Sequence, residues 1–259
     1  MIENKIYDIT DSFRLFYSDN DVKDGYSISL EEYRCQTFFT KEPETIQWID
    51  SFGDNETFFD IGANIGQYSI YSAIRNPSLQ IYAFEPFRKN YQRICDNIKL
   101  NEVDNVIPFL MGLSNSNSVE RFYVKDDRIS SSGNQLGQSV DERGDHFVPI
   151  EVENIITFCV DDFIQLINLS SPNYIKIDVD GVEEKIVDGM NITLNNPELK
   201  SVLIEVNKAT NVEREGITKI FEKNGFTSKN KFNFNPNHSK YRRKGTLSEI
   251  AENTIFTRI

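Results

Sequence analysis

The sequence is poor in cysteine, in histidine and in positive charge. Its three cysteines, Cys35, Cys95 and Cys159, stand at wide, unrelated spacings with no CxxC pair, so neither a disulfide framework nor a zinc knuckle is indicated, and free buried thiols are expected. Only two histidines occur, His146 and His238, so a histidine base would have to be one of them. Lys and Arg number 28 against 40 Asp and Glu, a net charge of −12, which argues against a nucleic-acid phosphate backbone as the main partner. No stretch approaches the roughly 18 consecutive apolar residues of a spanning helix. The first ten residues are too polar for the apolar stretch of a signal peptide, so a cytoplasmic protein without a membrane span is expected. A phosphate-binding loop of the type G-x-x-x-x-G-K-[ST] is also missing, which excludes that mode of ATP or GTP binding.

The chain does have the means to build a core. Its 259 residues are 39% hydrophobic and 12% aromatic, with 19 Phe and 11 Tyr, a composition that rules out global disorder and suits a single α/β domain. The first thirty or so residues alternate only weakly and predict a loose or strand-containing lead-in. At Lys41-Glu42-Pro43-Glu44 the pattern changes, with Pro suited to a first helical turn and Ile46, Ile49 and Phe52 at near-helical spacing before Gly53. Thr57 to Ile61 and Gln80 to Phe84 read as buried strands flanking a helix that runs to about Arg75. Phe87 to Leu100 reads as an amphipathic helix and Val106 to Leu110 as a third strand. This β-α-β-α-β alternation predicts a parallel sheet. The rhythm fails over an insertion at about 115–155, read as two strands around Arg121–Val124 and Val148–Thr157, flanking a mobile Ser130-Ser131-Ser132-Gly133-Asn134 loop. Alternation then resumes with a helix from Asp161, a strand over Tyr174–Asp178, a helix from about Glu183 and a strand over Ser201–Glu205. A helix capped by Gly225 follows, and two last strands near Phe226–Phe234 and Thr254–Ile259.

The most informative stretch is Asp60-Ile61-Gly62-Ala63-Asn64-Ile65-Gly66. A glycine-bearing turn directly after a buried strand lets a ligand approach the backbone and the start of the next helix. The dinucleotide fingerprint needs G-x-G-x-x-G, whereas Asn64 and Gln67 occupy its second and third glycine positions, so NAD is disfavoured. Twenty-five residues after Asp60, Glu85 closes the second strand, where a carboxylate can accept two hydrogen bonds from a ribose diol. An adenosyl ligand fits both features, although a tight turn and a helix-capping glutamate would account for either one alone.

The stretches DIGANIG at 60–66, AFEP at 83–86, DNIKLN at 96–101 and KIDVDGVEEKIVDG at 176–189 resemble the FkbM-type methyltransferase family. The resemblance implies a Rossmann-like class I methyltransferase: an α/β fold with a seven-stranded, mostly parallel sheet whose last strand is antiparallel, occupying residues 51–259 behind a lead-in and helix at 1–50. It also implies S-adenosylmethionine as cofactor and O-methylation of sugar or secondary-metabolite hydroxyls. By the same carry-over Asp60, Gly62, Asn64 and Gly66 border the methionine and ribose portions, Glu85 grips the ribose, and Met111, Gly112 and Leu113 approach the adenine. The family often has Glu where this chain has Asp180, so a role that needs the longer side chain is not transferred.

Lys176, Asp178, Asp180, Glu183 and Glu184 fall at the end of the fourth strand, and Glu205 closes the fifth, the edge at which open α/β sheets bind ligands. Residues two apart on a strand share a face, so Lys176 and Asp178 lie together and Asp178 is the better placed to face a substrate hydroxyl. A capping or Lys-paired carboxylate is the plainer reading of Asp178. Asp178, Asp180 and Glu205 also have the hard oxygens a Mg²⁺-like ion takes, a metal being possible but not favoured. His238, in a loop before the last strand, is a second candidate base, against the plainer reading of a solvated loop histidine. Arg242 and Arg243 lie in the densest positive run, Lys240-Tyr241-Arg242-Arg243-Lys244, and suit an anionic, phosphate-bearing acceptor if they are more than a solvated turn. The expected chemistry is methyl transfer to a hydroxyl of a nucleotide-activated sugar or glycan, with Asp178, His238 and Glu205 as candidate catalytic groups and Lys176, Asp180, Arg242 and Arg243 on the acceptor side. A macrolide-like alcohol as acceptor, or a non-catalytic adenosyl-binding protein, is the alternative.

Overall fold

The computed structural model describes residues 4–19, 27–141, 144–207, 211–228 and 251–259. The chain opens with an antiparallel hairpin, β1 (Lys5–Thr10) and β2 (Phe13–Tyr17), followed by α1 (Leu30–Lys41) and α2 (Pro43–Ile49). The alternating core then runs β3 (Thr57–Ile61), α3 (Gln67–Arg75), β4 (Gln80–Phe84), α4 (Arg88–Asn101) and β5 (Val106–Phe109). The insertion contributes β6 (Gly112–Leu113), β7 (Ser118–Val124), β8 (Gln135–Leu136) and β9 (Glu151–Phe158). After it come α5 (Val160–Leu166), β10 (Tyr174–Ile177), α6 (Glu183–Asp188), α7 (Asn191–Asn195), β11 (Ser201–Asn207), α8 (Asn211–Lys223), β12 (Phe226–Thr227) and β13 (Ala251–Arg258).

Seven strands form the main sheet in the order β12-β13-β11-β10-β3-β4-β5, with β13 antiparallel to both of its neighbours and the five strands from β11 to β5 mutually parallel. This is the Rossmann-like, mostly parallel sheet with an antiparallel last strand. Its central strands are mostly apolar because both faces are covered: every residue of β3 and β10 is buried, Thr57, Asp60 and Lys176 being the polar members. On one face Phe59, Ile61, Ile175, Ile177, Val202 and Ile204 pack against helices α5 to α8 and the inner side of the insertion. On the other, Phe58, Tyr174 and Leu203 pack against α2, α3, α4, the hairpin and α1 through residues such as Phe13, Phe38, Trp48 and Tyr71. The residues before 50 thus build about a third of the second core.

The insertion is a second sheet of order β6-β9-β7-β8, more ordered than the two strands and mobile loop read from the sequence. The strand expected to run to Phe234 is described only as far as Thr227, and His238, Arg242 and Arg243 lie outside the described residues. All three cysteines are free, Cys35 buried and Cys95 and Cys159 half-buried. Among the described residues, no helix is long and apolar enough to cross a membrane.

Candidate active site

The parallel strands β3, β4 and β10 end at one edge, and their C-terminal turns surround a cleft with about 630 Å³ of empty space, part of it open to solvent. Its walls bring together residues far apart in the chain: Gly62 and Asn64 after β3, Glu85 after β4, Met111, Gly112 and Leu113 after β5, and Asp178 and Asp180 after β10. Each of these carries a site role in the sequence reading. The insertion closes the cleft with Ser131, Ser132, Asn134 and Leu136.

The turn after β3 is held by two backbone N–H groups, of Gly62 and Ala63, donating to the Phe84 carbonyl at 2.9 and 3.0 Å. Gly62 has φ +78°, and a Cβ there would sit 1.9 Å from the Asp178 carbonyl oxygen, so β3 and β10 approach too closely at this point for any side chain. A larger residue at Gly62 would therefore disrupt the turn before it met a ligand. Gly66, also at positive φ, does not line the cleft; a Cβ there would press on Ile94 of α4 at 3.1 Å. Asn64 tolerates φ +53° as its residue type allows. Its Nδ2 donates to the Ser131 carbonyl at 3.0 Å, while its Oδ1 is buried without a hydrogen-bond partner. An orphaned acceptor on a residue lining a cleft is the kind of group that a bound ligand satisfies.

Glu85 is buried, and each of its carboxyl oxygens accepts one backbone N–H, from Asn64 and from Phe87, both at 2.8 Å. Burial pushes its pKa up to about 8, against the lowering effect of those two N–H groups, and the nearby charge of Asp180 adds to the rise. Glu85 thus joins the turns after β3 and β4 and still presents unused lone pairs to the cleft.

Asp60 and Lys176 lie behind the cleft and do not line it. Asp60 is fully buried, accepts a 2.6 Å hydrogen bond from Ser69 Oγ and is 4.0 Å from Lys176 Nζ. Burial raises its pKa against the pull of Lys176 and Ser69. Lys176, expected on the acceptor side, is buried instead and donates to Asp178 Oδ2 at 2.7 Å, with its ammonium 5.2 Å from the centre of the Tyr68 ring. Burial disfavours its charge, but the carboxylates of Asp178, Asp60 and Glu42 outweigh that cost and hold it above the ordinary lysine range. Lys176 is a counter-ion.

Asp178 keeps 28% of its side chain exposed and lines the cleft. Ile177 pairs with Ile204 in the β10–β11 ladder, so Asp178 and Glu205 stand at successive, adjacent positions of the two strands. The negative charge of Asp178, then burial, then Glu42 and Asp180 push Glu205 up to about 9, so at neutral pH it carries a proton beside the aspartate. Asp180, at φ +61°, accepts the Gly133 N–H through Oδ2 at 2.7 Å, and its carbonyl accepts from Gln135 Nε2 at 2.6 Å. These bonds, with those from Asn64 to Ser131 and from the Ser130 N–H to Asn90 Oδ1 at 2.7 Å, pin the serine-rich loop over the cleft. Glu183 accepts the N–H groups of Val179 and Gly181 and shapes the same turn. Among the described residues, no group of three His, Cys, Asp or Glu side chains is placed to hold a metal ion. One carboxyl oxygen of Asp178 is engaged by Lys176 and one of Asp180 by the Gly133 N–H.

The sequence reading passed over the contribution of the N-terminal helices. Glu42, buried between α1 and α2, accepts from Tyr68 Oη at 2.8 Å and from Lys41 Nζ at 2.8 Å. Burial would raise its pKa, but Lys41 and Lys176 hold it well below the usual carboxylate range. Arg34 of α1 donates to the Ser130 carbonyl. No local signal marks Glu42 or Arg34 as part of this network, since apart from Lys41 their partners lie in β10, α3 and the insertion.

Comparison with known proteins follows the same lines. The family profile described as "Methyltransferase FkbM domain" matches residues 60–228. Over 173 residues the chain is 25% identical to the protein named hexuronic acid methyltransferase AglP of Haloferax volcanii, covering 66% of this chain and 64% of that protein. Over 158 residues it is 27% identical to methyltransferase 1 of Beauveria bassiana, covering 55% and 61%. The chain thus spans less than two thirds of the length of these relatives. Among solved structures, M. jannaschii TYW2 in complex with AdoMet aligns over 100% of this chain and 88% of its own at 15% identity and a TM-score of 0.46.

Proposed function

The chain belongs to the FkbM methyltransferase domain family, and from that premise we propose that it is an S-adenosylmethionine-dependent O-methyltransferase whose acceptor is a sugar hydroxyl, in a nucleotide-activated sugar or a glycan. The observation that carries this reading is Asp178, which lines the cleft with a partly exposed carboxylate that is fixed from behind by the buried ammonium of Lys176. A sugar hydroxyl is a weak acid, and a positioned base adds roughly 10² to 10⁴ in rate. Asp178 takes the hydroxyl proton, and protonated Glu205 on the neighbouring strand keeps the pair at a single negative charge.

The residues present suit the cofactor. Glu85 offers lone pairs where a ribose diol is expected, Met111 and Leu113 give an apolar wall, and the orphaned Oδ1 of Asn64 awaits a donor. Bound there, S-adenosylmethionine would supply a methyl group activated on a sulfonium. The hexuronic acid named for the Haloferax relative supports a carbohydrate acceptor, and the net charge of −12 weighs against nucleic acid.

The test is incubation with S-adenosylmethionine and a panel of sugar nucleotides and glycans that includes uronic acids, read by mass spectrometry for the gain of one CH₂. Methylation of a carbohydrate supports the reading. Tight cofactor binding with no product across the panel would instead make the chain an adenosyl-binding protein.

A further inference from the structure

Asp60 and Lys176 stand directly opposite each other in the β3–β10 ladder, and Asp178 follows two residues after Lys176 on the same face. The Lys176 ammonium therefore has one carboxylate across the strands and another along its own. It donates to Asp178 Oδ2 at 2.7 Å and lies 4.0 Å from Asp60 Oδ1, roughly 1 Å beyond hydrogen-bond range. Asp60 is fully buried. Its Oδ2 accepts from Ser69 Oγ at 2.6 Å, but its Oδ1 has no hydrogen-bond partner. A buried carboxylate oxygen left unsatisfied beside an ammonium is an unused seat for that ammonium.

The surroundings suit a cation that changes partner. Lys176 Nζ lies over the Tyr68 ring, 5.2 Å from its centre and within cation–π range. Tyr68 is itself anchored, its Oη donating to Glu42 Oε2 at 2.8 Å while Lys41 holds the other oxygen of Glu42. The charged groups facing Lys176 are thus Asp60 of β3, Asp178 of its own strand and Glu42 from the N-terminal helices. Those acting on Asp60 are Lys176 and Asp178, whereas Asp178 also meets Glu205 of β11 and the charge of Lys41.

We propose that Lys176 is a counter-ion with two seats and that Asp60 is the second: when Asp178 takes the hydroxyl proton of the acceptor, the ammonium moves from Asp178 to Asp60 Oδ1. In that step the acceptor oxygen bonds the methyl carbon, the carbon–sulfur bond breaks with its electron pair left on sulfur, and the hydroxyl proton ends on Asp178. Lys176 keeps all of its protons. Neutralising Asp178 would otherwise strand a buried ammonium, which is costly. The free oxygen of Asp60 offsets that cost and so makes Asp178 the stronger base. Asp60 and Lys176 act through Asp178 and are positioning residues. The inference rests on the reading of Asp178 as the base of the methyl transfer.

Two measurements test it. In Asp178→Asn the neutral amide stands for the protonated carboxyl, and a crystal structure should show Lys176 Nζ within hydrogen-bond distance of Asp60 Oδ1. An ammonium still held by residue 178 and out of reach of Asp60 would overturn the proposal. Asp60→Asn keeps an acceptor for Ser69 and removes the charge. On a sugar acceptor that the parent methylates, its kcat should fall by about ten-fold or more, and the acidic limb of its kcat profile should move about one pH unit lower. Its affinity for S-adenosylhomocysteine should stay within two-fold of the parent. An unmoved limb, or a loss of S-adenosylhomocysteine affinity alongside kcat, would make Asp60 a structural or donor-side residue and would also overturn the proposal. If the parent methylates nothing in the panel, the functional reading fails and the proposal with it, whereas failure confined to the seat of Lys176 or to the limb of Asp60→Asn overturns the proposal alone.

Discussion

Replacing Glu205 by Gln should stabilise the protein, and the gain should grow with pH. Glu205 has its pKa pushed from the ordinary 4.5 up to about 9, first by the charge of Asp178 and then by burial. The folded chain therefore holds this proton more tightly than the unfolded chain does. Whatever stability the protonated carboxyl contributes is fully present below about pH 4.5 and is lost as pH rises toward 9. At pH 7 the unfolded chain gains by ionising over about 2.5 pH units, at about 1.4 kcal/mol each, which sets a ceiling of roughly 3.4 kcal/mol. Glu205 is only partly shielded, so about 1–2 kcal/mol is expected, or roughly 2–8 °C in Tm for a chain of this size. Gln keeps the shape and cannot ionise. Thermal melts of parent and Glu205→Gln at pH 5, 7 and 9 should nearly coincide at the first and separate progressively. Because Asp178 is the leading cause, the gain should shrink in an Asp178→Asn background. A Glu205→Gln variant less stable than the parent, or a gap independent of pH, would refute the account of a proton held between two neighbouring carboxyls.

Three further outcomes follow from the same geometry. Asp178→Asn should lower kcat by about 10² to 10⁴ while leaving S-adenosylhomocysteine affinity intact; a parallel loss of affinity would place Asp178 in cofactor binding. Glu85→Ala removes the acceptor of two backbone N–H groups, of Asn64 and Phe87, at about 1–3 kcal/mol each, so a weakened melt should accompany weakened nucleoside binding, and an unchanged melt would show that the carboxylate does not hold the turn. Arg93 and Glu31 form an ion pair at 2.6 Å with side chains 3% and 1% exposed, so Arg93→Met alone should cost about 3–5 kcal/mol by stranding Glu31. Adding Glu31→Leu should recover much of that loss in a denaturant titration, and a silent single variant would contradict it.

What the sequence makes legible, and what it hides, has a physical basis. Strands β3, β4 and β10 can be read because burial on both faces leaves short runs that are apolar apart from their ends and the buried Asp60 and Lys176, and the turn after β3 because Gly62 is forced by the approach of the Asp178 carbonyl. Glu85, Met111, Gly112, Leu113 and Asp178 converge on one cleft because parallel strands end at a common edge. Helix α1 is harder. Its buried stripe is Glu31, Cys35 and Phe38, at helical spacing, yet its first member is a carboxylate whose burial depends on Arg93 of α4 and on the N–H and hydroxyl of Ser18. The start signal was local all the same: Ser29 with Glu32 three residues on, whose N–H the serine side chain accepts at 3.0 Å.

The serine-rich loop shows the opposite error, of reading motion from composition. Ser130 to Gly133 have no apolar pattern and no helix or strand signal, which locally means a flexible tip. They are instead held by Asn90, Asn64 and Asp180, respectively 40, 67 and 47 residues from the atoms they bind. Each of those partners sits at the C-terminal edge of the sheet or on the helix following it, so the order of the loop is a property of the edge and not of the loop. The same holds for the charges around Asp178. Strand periodicity puts Lys176 on the face of Asp178, and there it lies, 2.7 Å from the carboxylate. Periodicity does not say how deep that face lies, and Asp60 on β3 and Glu42 from the N-terminal helices enclose the ammonium. Arg34 and Glu42, outside the family-matched segment, meet the matched part through direct hydrogen bonds, to the Ser130 carbonyl and from Tyr68 Oη, as well as through charge. The turn of Gly62 and the edge of Asp178, by contrast, are fixed by the geometry of the sheet itself, since β3 and β10 pair directly and the Asp178 carbonyl leaves no room for a side chain at Gly62.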